Sequence, residues 1–335
     1  LYNFGAFANH HGDVIYGLDD FDDAVVSDYQ YDLWRLAVSL VLDTRANGHF
    51  EDSDCLDVLE VMAEAYLSAA TSYQENDLDK EVHFTRKTAE KPLKKFLKKV
   101  DKKKGRDQML GKWTRVQKNG KRVFDTSLSE LRRLSPQGRK RFIEAFDTYR
   151  AAREEAGNGV FQLKDVARRL GAGTGSFGTL RYYALIEDGE NNAEDDIILD
   201  IKEQGGPALL LAMSEEEREA YRNAYPNEGE RHAQAFRALA EHPDQYLGWL
   251  ELDGKVFSVR ERSPFKDDFD TTRLTKKGHL KKMATTWGEV LATEHKRASR
   301  CLNPENAFLF EETLARLTFK REGEFARLIQ AIAIH

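Results

Sequence analysis

The sequence predicts an α+β protein with a small antiparallel β-sheet lobe and a mostly helical large lobe. Apolar residues recur at helical spacing in residues 27–76 and again from Lys276 onward. Short alternating apolar runs, which are typical of strands, fall between about residues 160 and 260. A glycine-rich stretch lies inside this strand region. We therefore expect a β-rich unit between two helical segments.

The composition is that of a soluble globular chain. Its 335 residues are 41% hydrophobic and 32% charged, enough for one large or two ordinary domains, and its net charge of −6 gives no general case for nucleic-acid binding. The two cysteines, Cys55 and Cys301, lack metal-ligand spacing and favour a reducing compartment. No apolar run approaches the ~20 residues of a membrane span. We expect a cytoplasmic protein whose true N-terminus, with any targeting signal, lies upstream of Leu1.

The N-terminal segment predicts a hairpin followed by an acidic turn. A turn signal at residues 11–13 divides the apolar stretch Ala6–Leu18, and residues 18–23 then read Leu-Asp-Asp-Phe-Asp-Asp. Carboxylates after an apolar strand suit a hard cation such as Mg²⁺. An acidic surface turn is the alternative. Helices are expected over Ser27–Gly48 and Ser53–Asn76, with Asp32 and Arg35 bracing the first one.

The middle of the chain is basic. Lysines crowd the segment Lys91–Lys104, where Leu93, Phe96, Leu97 and Val100 recur at helical spacing. An anionic partner is one interpretation, and an amphipathic helix with a solvated basic face is the other. Because no aromatic residues are arranged for base stacking, nucleic acid is not the expected partner. A further helix is expected over Leu128–Ala156.

The glycine-rich stretch points to phosphate binding. Backbone without a Cβ can turn sharply and approach a polyphosphate closely, and the stretch contains Gly173, Gly175, Ser176 and Gly178. A dinucleotide fold would need a helix next, but residues 179–186 alternate like a strand. A P-loop would need Lys-Ser/Thr after the last glycine, where Thr179 stands. The protein-kinase arrangement remains, with Lys202 following on the next strand, and an ordinary glycine-rich hairpin is the alternative.

The remaining elements follow the order of a kinase small lobe. Ser214 caps a predicted helix, and a second helix over Gly229–His242 carries Glu230, a carboxylate that we expect to partner Lys202. Two strands joined at Asp253-Gly254 come next. Arg260 then begins a predicted hinge that runs to residue 266. Helices are expected from residue 276 onward, with His295 in mid-helix as a structural residue.

Several spaced motifs resemble the bacterial domain-of-unknown-function-2252 family, whose biochemical role is not established. The resemblance covers most of the chain and is weakest in the basic middle. The matching motifs are Asn3-Phe-Gly5, Asp20-Phe-Asp22, Asp32-Leu-x-Arg-Leu36, Asp165-Val-Ala-Arg168, Gly173-x-Gly-Ser-x-Gly178, Lys202-Glu203, Gly229-Glu-Arg231, Leu247-Gly-Trp249 and Val259-Arg260.

The resemblance implies roles for the first of these motifs. The family pattern Gly-Asp-x-His-x-x-Asn-Phe-Gly resembles the catalytic loop of aminoglycoside- and choline-kinase-like phosphotransferases. Asn3 would then be the metal-binding asparagine and Asp20 the principal Mg²⁺ ligand, with Asp22 in support at the glycine position of the kinase Asp-Phe-Gly triplet. The aspartate expected as catalytic base falls just before Leu1. The motifs occur in a circularly permuted order, because kinases place the glycine loop and lysine first.

These inferences predict a kinase-like phosphotransferase that uses ATP and Mg²⁺ on an unspecified acceptor, with a protein-kinase-like two-lobe fold in permuted order. Catalysis is assigned to Asn3, Asp20 and Lys202. The cofactor-binding set is Gly173, Gly175, Ser176, Gly178, Lys202, Glu230 and Arg260, and the metal set is Asn3, Asp20 and Asp22. The predicted units are residues 1–83 (large lobe), 84–157 (basic helical insertion), 158–268 (small lobe) and 269–335 (large lobe). Alternatives are a nucleotide-binding pseudokinase and a non-enzymatic helical protein that binds an anionic partner through Lys91–Arg106.

Overall fold

The computed structural model describes residues 1–9, 11–103, 105–155, 157, 161–171, 178–188, 196–240 and 243–334. The chain opens with the predicted hairpin, formed by β1 (Phe4–Ala8) and β2 (Val14–Leu18) in antiparallel register with Phe4 opposite Leu18. Two helices follow, α1 (Gln30–Asn47) and α2 (Asp52–Ser72). Both were expected, and their apolar stripes are buried.

The basic segment forms an amphipathic helix, α3 (Leu93–Lys103). Leu93, Leu97 and Val100 are buried, and Lys94, Lys95, Lys98 and Lys99 are exposed. The apolar side packs into the same core as α1 and α2. This arrangement is the one expected for an amphipathic scaffold helix with a solvated basic face.

The next segment is less helical than the sequence predicted. It contains α4 (Arg106–Trp113), β3 (Thr114–Val116), β4 (Arg122–Phe124), β5 (Leu131–Arg133) and α5 (Pro136–Glu155). The helix predicted from Leu128 therefore begins only at Pro136. Residues 131–133 instead pair with a neighbouring strand, and proline is favoured in the first turn of a helix because its missing N–H has no partner there.

A six-stranded antiparallel sheet forms the β-rich part, in the order β5-β6-β7-β8-β10-β9. Its remaining strands are β6 (Phe161–Arg169), β7 (Arg181–Asp188), β8 (Ile197–Glu203), β9 (Gly248–Leu252) and β10 (Lys255–Glu261). The glycine-rich stretch connects β6 to β7, and Gly173, Gly175 and Ser176 lie outside the described residues. The antiparallel strands confirm the α+β class.

Helices cover both faces of this sheet. Tyr182, Ala184 and Ile186 of β7 pack with α5, whereas Tyr183 and Leu185 pack with α4. This alternation follows from the two-residue period of a strand. It explains why β7 and β8 read as nearly continuous apolar runs in the sequence.

Two helices stand between β8 and β9, namely α6 (Glu215–Ala224) and α7 (Glu228–Leu239). Ser214 caps α6 as predicted, in a capping box with Glu217. Helix α7 lies close against β9 and β10 because Gly229 has no side chain. A Cβ atom there would come within 2.6 Å of Trp249 Cβ and 2.7 Å of Val256 Cγ1.

The chain ends in a short strand and three helices: β11 (Asp267–Asp268), α8 (Lys277–Leu302), α9 (Leu309–Thr318) and α10 (Glu322–Ile334). β11 pairs with β1, and α8 to α10 share one hydrophobic core with β1, β2 and α1 to α3. Residues from both ends of the chain therefore build the helical body. Within the described ranges no helix combines the length and apolarity needed to cross a membrane.

Candidate functional site

The acidic turn, residues 18–23, lies at the end of β2 beside the first residues of the chain. The Asp19 amide donates to the Asn3 carbonyl at 2.9 Å. This bond extends the hairpin by one residue pair, so Asn3 lies opposite Asp19, the residue that precedes Asp20. Phe21 is 2% exposed and packs edge-on against Phe236 of α7, with ring centroids 4.7 Å apart. The buried ring anchors the turn, and the flanking Asp20 and Asp22 remain in contact with solvent.

Strand β8 meets this turn. The Lys202 ammonium forms an ion pair with Asp22 Oδ2, and Gln204 Nε2 donates to Asp22 Oδ1 at 3.1 Å. Lys202 and Gln204 stand two residues apart and therefore lie on the same side of the strand. The contact joins residues 180 positions apart in the chain. It brings Lys202, predicted to bind phosphate, next to the acidic turn, predicted to bind Mg²⁺.

Glu230 does not partner Lys202 as the sequence analysis expected. Its carboxylate accepts from Gln234 Nε2 at 3.1 Å, and its backbone N–H donates to Asn227 Oδ1 at 2.9 Å. The Lys202 ammonium instead forms its ion pair with the carboxylate of Asp22. Asp22, which was predicted from the sequence to support the metal site, is therefore also the ion-pair partner of Lys202.

A buried arginine fixes the backbone of the acidic turn. Arg231 is 0% exposed, and its guanidinium donates to the carbonyls of Asp22 and Ala24 at 2.6 Å each and to Gly205 at 3.2 Å. Its Nε donates to Glu228 Oε2 at 2.7 Å, which neutralises the charge. One side chain thus connects the turn, the end of β8 and α7 through a planar fork of donors.

His232 lies next to Arg231 and approaches the same carboxylate. Its Nε2 is 3.9 Å from Asp22 Oδ1, and the side chain is buried. Burial and, to a smaller extent, the nearby Arg260 guanidinium lower the pKa of His232 to about 3, against the opposing effect of Asp22. The imidazole is therefore neutral at pH 7.

The two carboxylates of the turn have opposite pKa shifts. Desolvation and the like charge of Asp22 raise the pKa of Asp20 above its usual range, against the opposing effects of Lys202 and Arg260. Desolvation also raises the pKa of Asp22. The Lys202 ammonium and the Gln204 hydrogen bond outweigh this effect and hold the pKa of Asp22 well below its usual range. Asp20 is the carboxylate whose charge is less well compensated.

Arg260, on β10, lies on the sheet side of the site. Arg260 Nη1 donates to the Asp19 carbonyl at 3.1 Å, and its guanidinium stands 5.6 Å from the centre of the Phe236 ring. Lys266, at the end of the predicted hinge, forms a 2.8 Å ion pair with Asp19. Gly178 has a φ of +83°, a left-handed conformation that favours glycine. It is the described member of the predicted phosphate-binding set.

Asp20 and Asn3 carry the oxygen donors from which a metal site could be built. In the described part of the chain no lysine or arginine forms an ion pair with Asp20, and no cluster of three or more His, Cys, Asp or Glu side chains could enclose a metal ion. Mg²⁺ is commonly held by one or two carboxylates, with waters and substrate phosphates completing its shell. Asn3 and Asp20 could supply oxygen ligands of that kind.

Three residues of the site had not been recognised from the sequence. They are Gln204, Arg231 and His232. Gln204 could have been found from strand periodicity, since it stands two residues after Lys202. Arg231 and His232 stand in and directly after the motif Gly229-Glu-Arg231, but nothing local shows that an arginine will be buried.

The model of a family described as "Uncharacterized protein conserved in bacteria (DUF2252)" matches residues 1–334. No curated protein and no solved structure matches the chain.

Proposed function

We propose that this chain, which belongs to the bacterial family DUF2252, binds a nucleoside triphosphate with Mg²⁺ between its sheet and its helical body and transfers the terminal phosphoryl group to an acceptor. One observation carries the proposal. The Lys202 ammonium of β8 meets the acidic turn, where the Asp20 carboxylate has no ion-pair partner among the described residues. A lysine beside a carboxylate that has no ion-pair partner is an arrangement that suits a metal-bound triphosphate.

In this proposal each group has an electrostatic task. Backbone N–H groups of Gly173, Gly175, Ser176 and Gly178 bind phosphate oxygens, and Lys202 neutralises them. Asn3 and Asp20 hold the metal, which supplies charge neutralisation of the phosphates when bound. Asp22 orients Lys202, and Arg231 holds the turn rigid. The permuted order of the motifs, with Asn3 and Asp20 before the glycine loop, is part of the proposal.

Nucleotide binding is tested by thermal unfolding with and without MgATP. We expect a stabilisation of about 2.7 kcal/mol at a hundred times Kd, and loss of this stabilisation in Lys202→Ala and in Asp20→Ala. Lys255→Ala is the matched control, since Lys255 stands on the adjacent strand and pairs with Glu203 instead. If both site variants keep the response to MgATP, the assignment of the site is wrong.

Turnover separates an enzyme from a nucleotide-binding regulator. The measurement is ADP formation by the chain joined to the Gly-Asp-x-His segment that precedes Asn3 in the family pattern. We expect ADP formation that Asp20→Ala abolishes. Binding of MgATP without ADP formation would instead support a regulatory pseudokinase.

A further inference from the structure

The solvent-exposed side of α3 is formed by lysines. The 11-residue helix contains six lysines and one aspartate, in a chain whose net charge is −6. Five of these lysines are exposed, and at about 100° per residue they cover an arc of about 140° around the helix. We call this surface the lysine face. It consists of Lys94, Lys95, Lys98, Lys99 and Lys102.

The protein itself does not neutralise the lysine face. None of its five ammonium groups forms an ion pair or a hydrogen bond with another residue in the described part of the chain. The two acids next to these lysines in the sequence pair with other cations. Asp101 pairs with Arg86 at 3.1 Å, and Glu90 pairs with Lys282 of α8. The positive charge of the lysine face is therefore available to an anionic partner.

The opposite side of α3 is fixed in the protein. Its apolar side chains belong to the core that α1 and α2 share. The Phe96 ring packs edge-on against Tyr16 of β2 and against Phe269, with ring centroids 6.3 Å and 5.4 Å apart. The helix cannot turn this side outward without losing that packing. A partner of α3 therefore meets its lysine side chains rather than its apolar residues.

We propose that the lysine face binds the surface of a membrane that contains anionic phospholipids. Lysine is a compact, hydrated charge on a flexible stem, whereas geometric recognition of carboxylates and phosphates favours the planar fork of arginine. Helix α3 contains no arginine, and its one aromatic residue, Phe96, packs toward the core instead of being free to stack on bases. Clusters of about four to eight basic residues on an amphipathic helix are typical of sites for anionic lipid surfaces.

Binding through the lysine face is electrostatic and reversible. Because the apolar side of α3 stays in the core, the helix lies on the headgroups without inserting into the acyl region. From Lys94 to Lys102 it extends over about 12 Å, so the lysines reach several headgroups at once. The rest of the chain is acidic, which favours an orientation with α3 toward the membrane.

Co-sedimentation with lipid vesicles tests the proposal. The chain is mixed with vesicles of equal parts phosphatidylglycerol and phosphatidylcholine, and separately with vesicles of phosphatidylcholine alone, and the bound fraction is measured. We expect binding to the anionic vesicles and none to the neutral ones. Raising the salt concentration from about 0.1 M to about 1 M should remove this binding, because the Debye length falls from about 10 Å to about 3 Å.

Substitutions assign vesicle binding to the lysine face. Lys94→Gln combined with Lys98→Gln should lower the partition coefficient about 25-fold, since each lysine near an anionic surface contributes about five-fold. Lys140→Gln combined with Lys320→Gln is the matched control, because it removes the same charge from exposed positions on α5 and after α9. The control should bind like wild type. All four lysines are exposed, so both variants should fold, which urea unfolding checks. Lys202→Ala should also bind like wild type, which separates this proposal from the proposed nucleotide site.

Four outcomes would overturn the proposal. The first is equal binding to anionic and neutral vesicles, or binding to neither. The second is an equal loss of binding in the two double variants, which would indicate an effect of net charge rather than of the lysine face. The third is vesicle binding that survives high salt. The fourth is tighter binding to a DNA or RNA duplex than to the anionic vesicles at the same salt concentration, which would assign the lysine face to nucleic acid.

Discussion

At the scale of single residues, the electrostatics of the acidic turn are set by the buried side chains around it. Arg231 is fully buried, and Glu228 and three backbone carbonyls accept hydrogen bonds from its guanidinium. His232 stays neutral beside it, since burial and Arg260 oppose protonation. Asp22 stays ionised between Lys202 and Gln204. These groups leave Asp20 as the carboxylate open to a further cation.

The neutral state of His232 predicts a specific pH dependence. The pKa of His232 is about 3 in the folded protein, against the ordinary histidine value of 6.5 in the unfolded chain. Between these two pH values the unfolded chain therefore binds about one more proton than the folded chain. The free energy of unfolding should therefore fall with falling pH, by about 2 kcal/mol between pH 7 and pH 5 from this group alone.

His232→Gln should remove that part of the pH dependence, measured by urea unfolding at the two pH values. His49→Gln, at an exposed position after α1, is the control and should keep the wild-type slope. The same slope in His232→Gln and wild type would show that the buried imidazole is not responsible.

At the scale of elements, the crossing of α2 and α8 holds the helical body together. Gly288 of α8 lies directly against the backbone of α2, where a Cβ atom would come within 2.4 Å of the Met62 carbonyl oxygen and 3.0 Å of the Tyr66 amide. From the same helix, Trp287 donates to the Tyr16 hydroxyl at 2.8 Å and Glu294 accepts from the Leu18 amide at 3.0 Å. Helix α8 therefore positions the strand that leads into the acidic turn.

Gly288→Ala should destabilise the protein by about 1–3 kcal/mol, because neither backbone can move without repacking the crossing. Gly278→Ala in the same helix is the matched control. A Cβ atom at Gly278 meets no heavy atom within 4 Å, so alanine there should be neutral or stabilising by up to about 1 kcal/mol. Equal effects of the two substitutions in urea unfolding would contradict a close crossing.

At the scale of the whole molecule, the ion pair between Lys202 and Asp22 connects the sheet to the helical body. The two side chains are 18% and 32% exposed, so solvent screens them only in part. A double-mutant cycle with Lys202→Met and Asp22→Asn should give a coupling energy of about 1 kcal/mol in the free energy of unfolding.

The corresponding cycle on Arg222 and Glu215, an exposed pair on α6, is the control and should give about 0–0.5 kcal/mol. A coupling energy indistinguishable from that control would mean that Lys202 and Asp22 do not interact in solution. Both cycles use chemical unfolding at pH 7, where Asp22 is ionised.

Much of the fold could be read from local patterns. The hairpin β1–β2, the strands β7 to β10, the cap at Ser214 and the scaffold role of His295 agree with the sequence analysis. Both ring nitrogens of His295 have partners, Tyr66 at 2.8 Å and Asp32 at 3.2 Å. The error at Leu128–Ala156 arose because a three-residue strand is too short to show a period and its pairing with β6 is not local.

The sequence by itself determined the α+β class, the family and the residue types of the proposed phosphate- and metal-binding site, because periodicity, turn chemistry and spaced motifs are properties of neighbouring residues. Only the tertiary structure decided that Lys202 meets Asp22 rather than Glu230 and that Arg231 is the buried clamp of the turn. These contacts join residues up to 209 positions apart. No local pattern encodes which of several carboxylates a distant lysine will reach, because packing of the whole chain sets that distance.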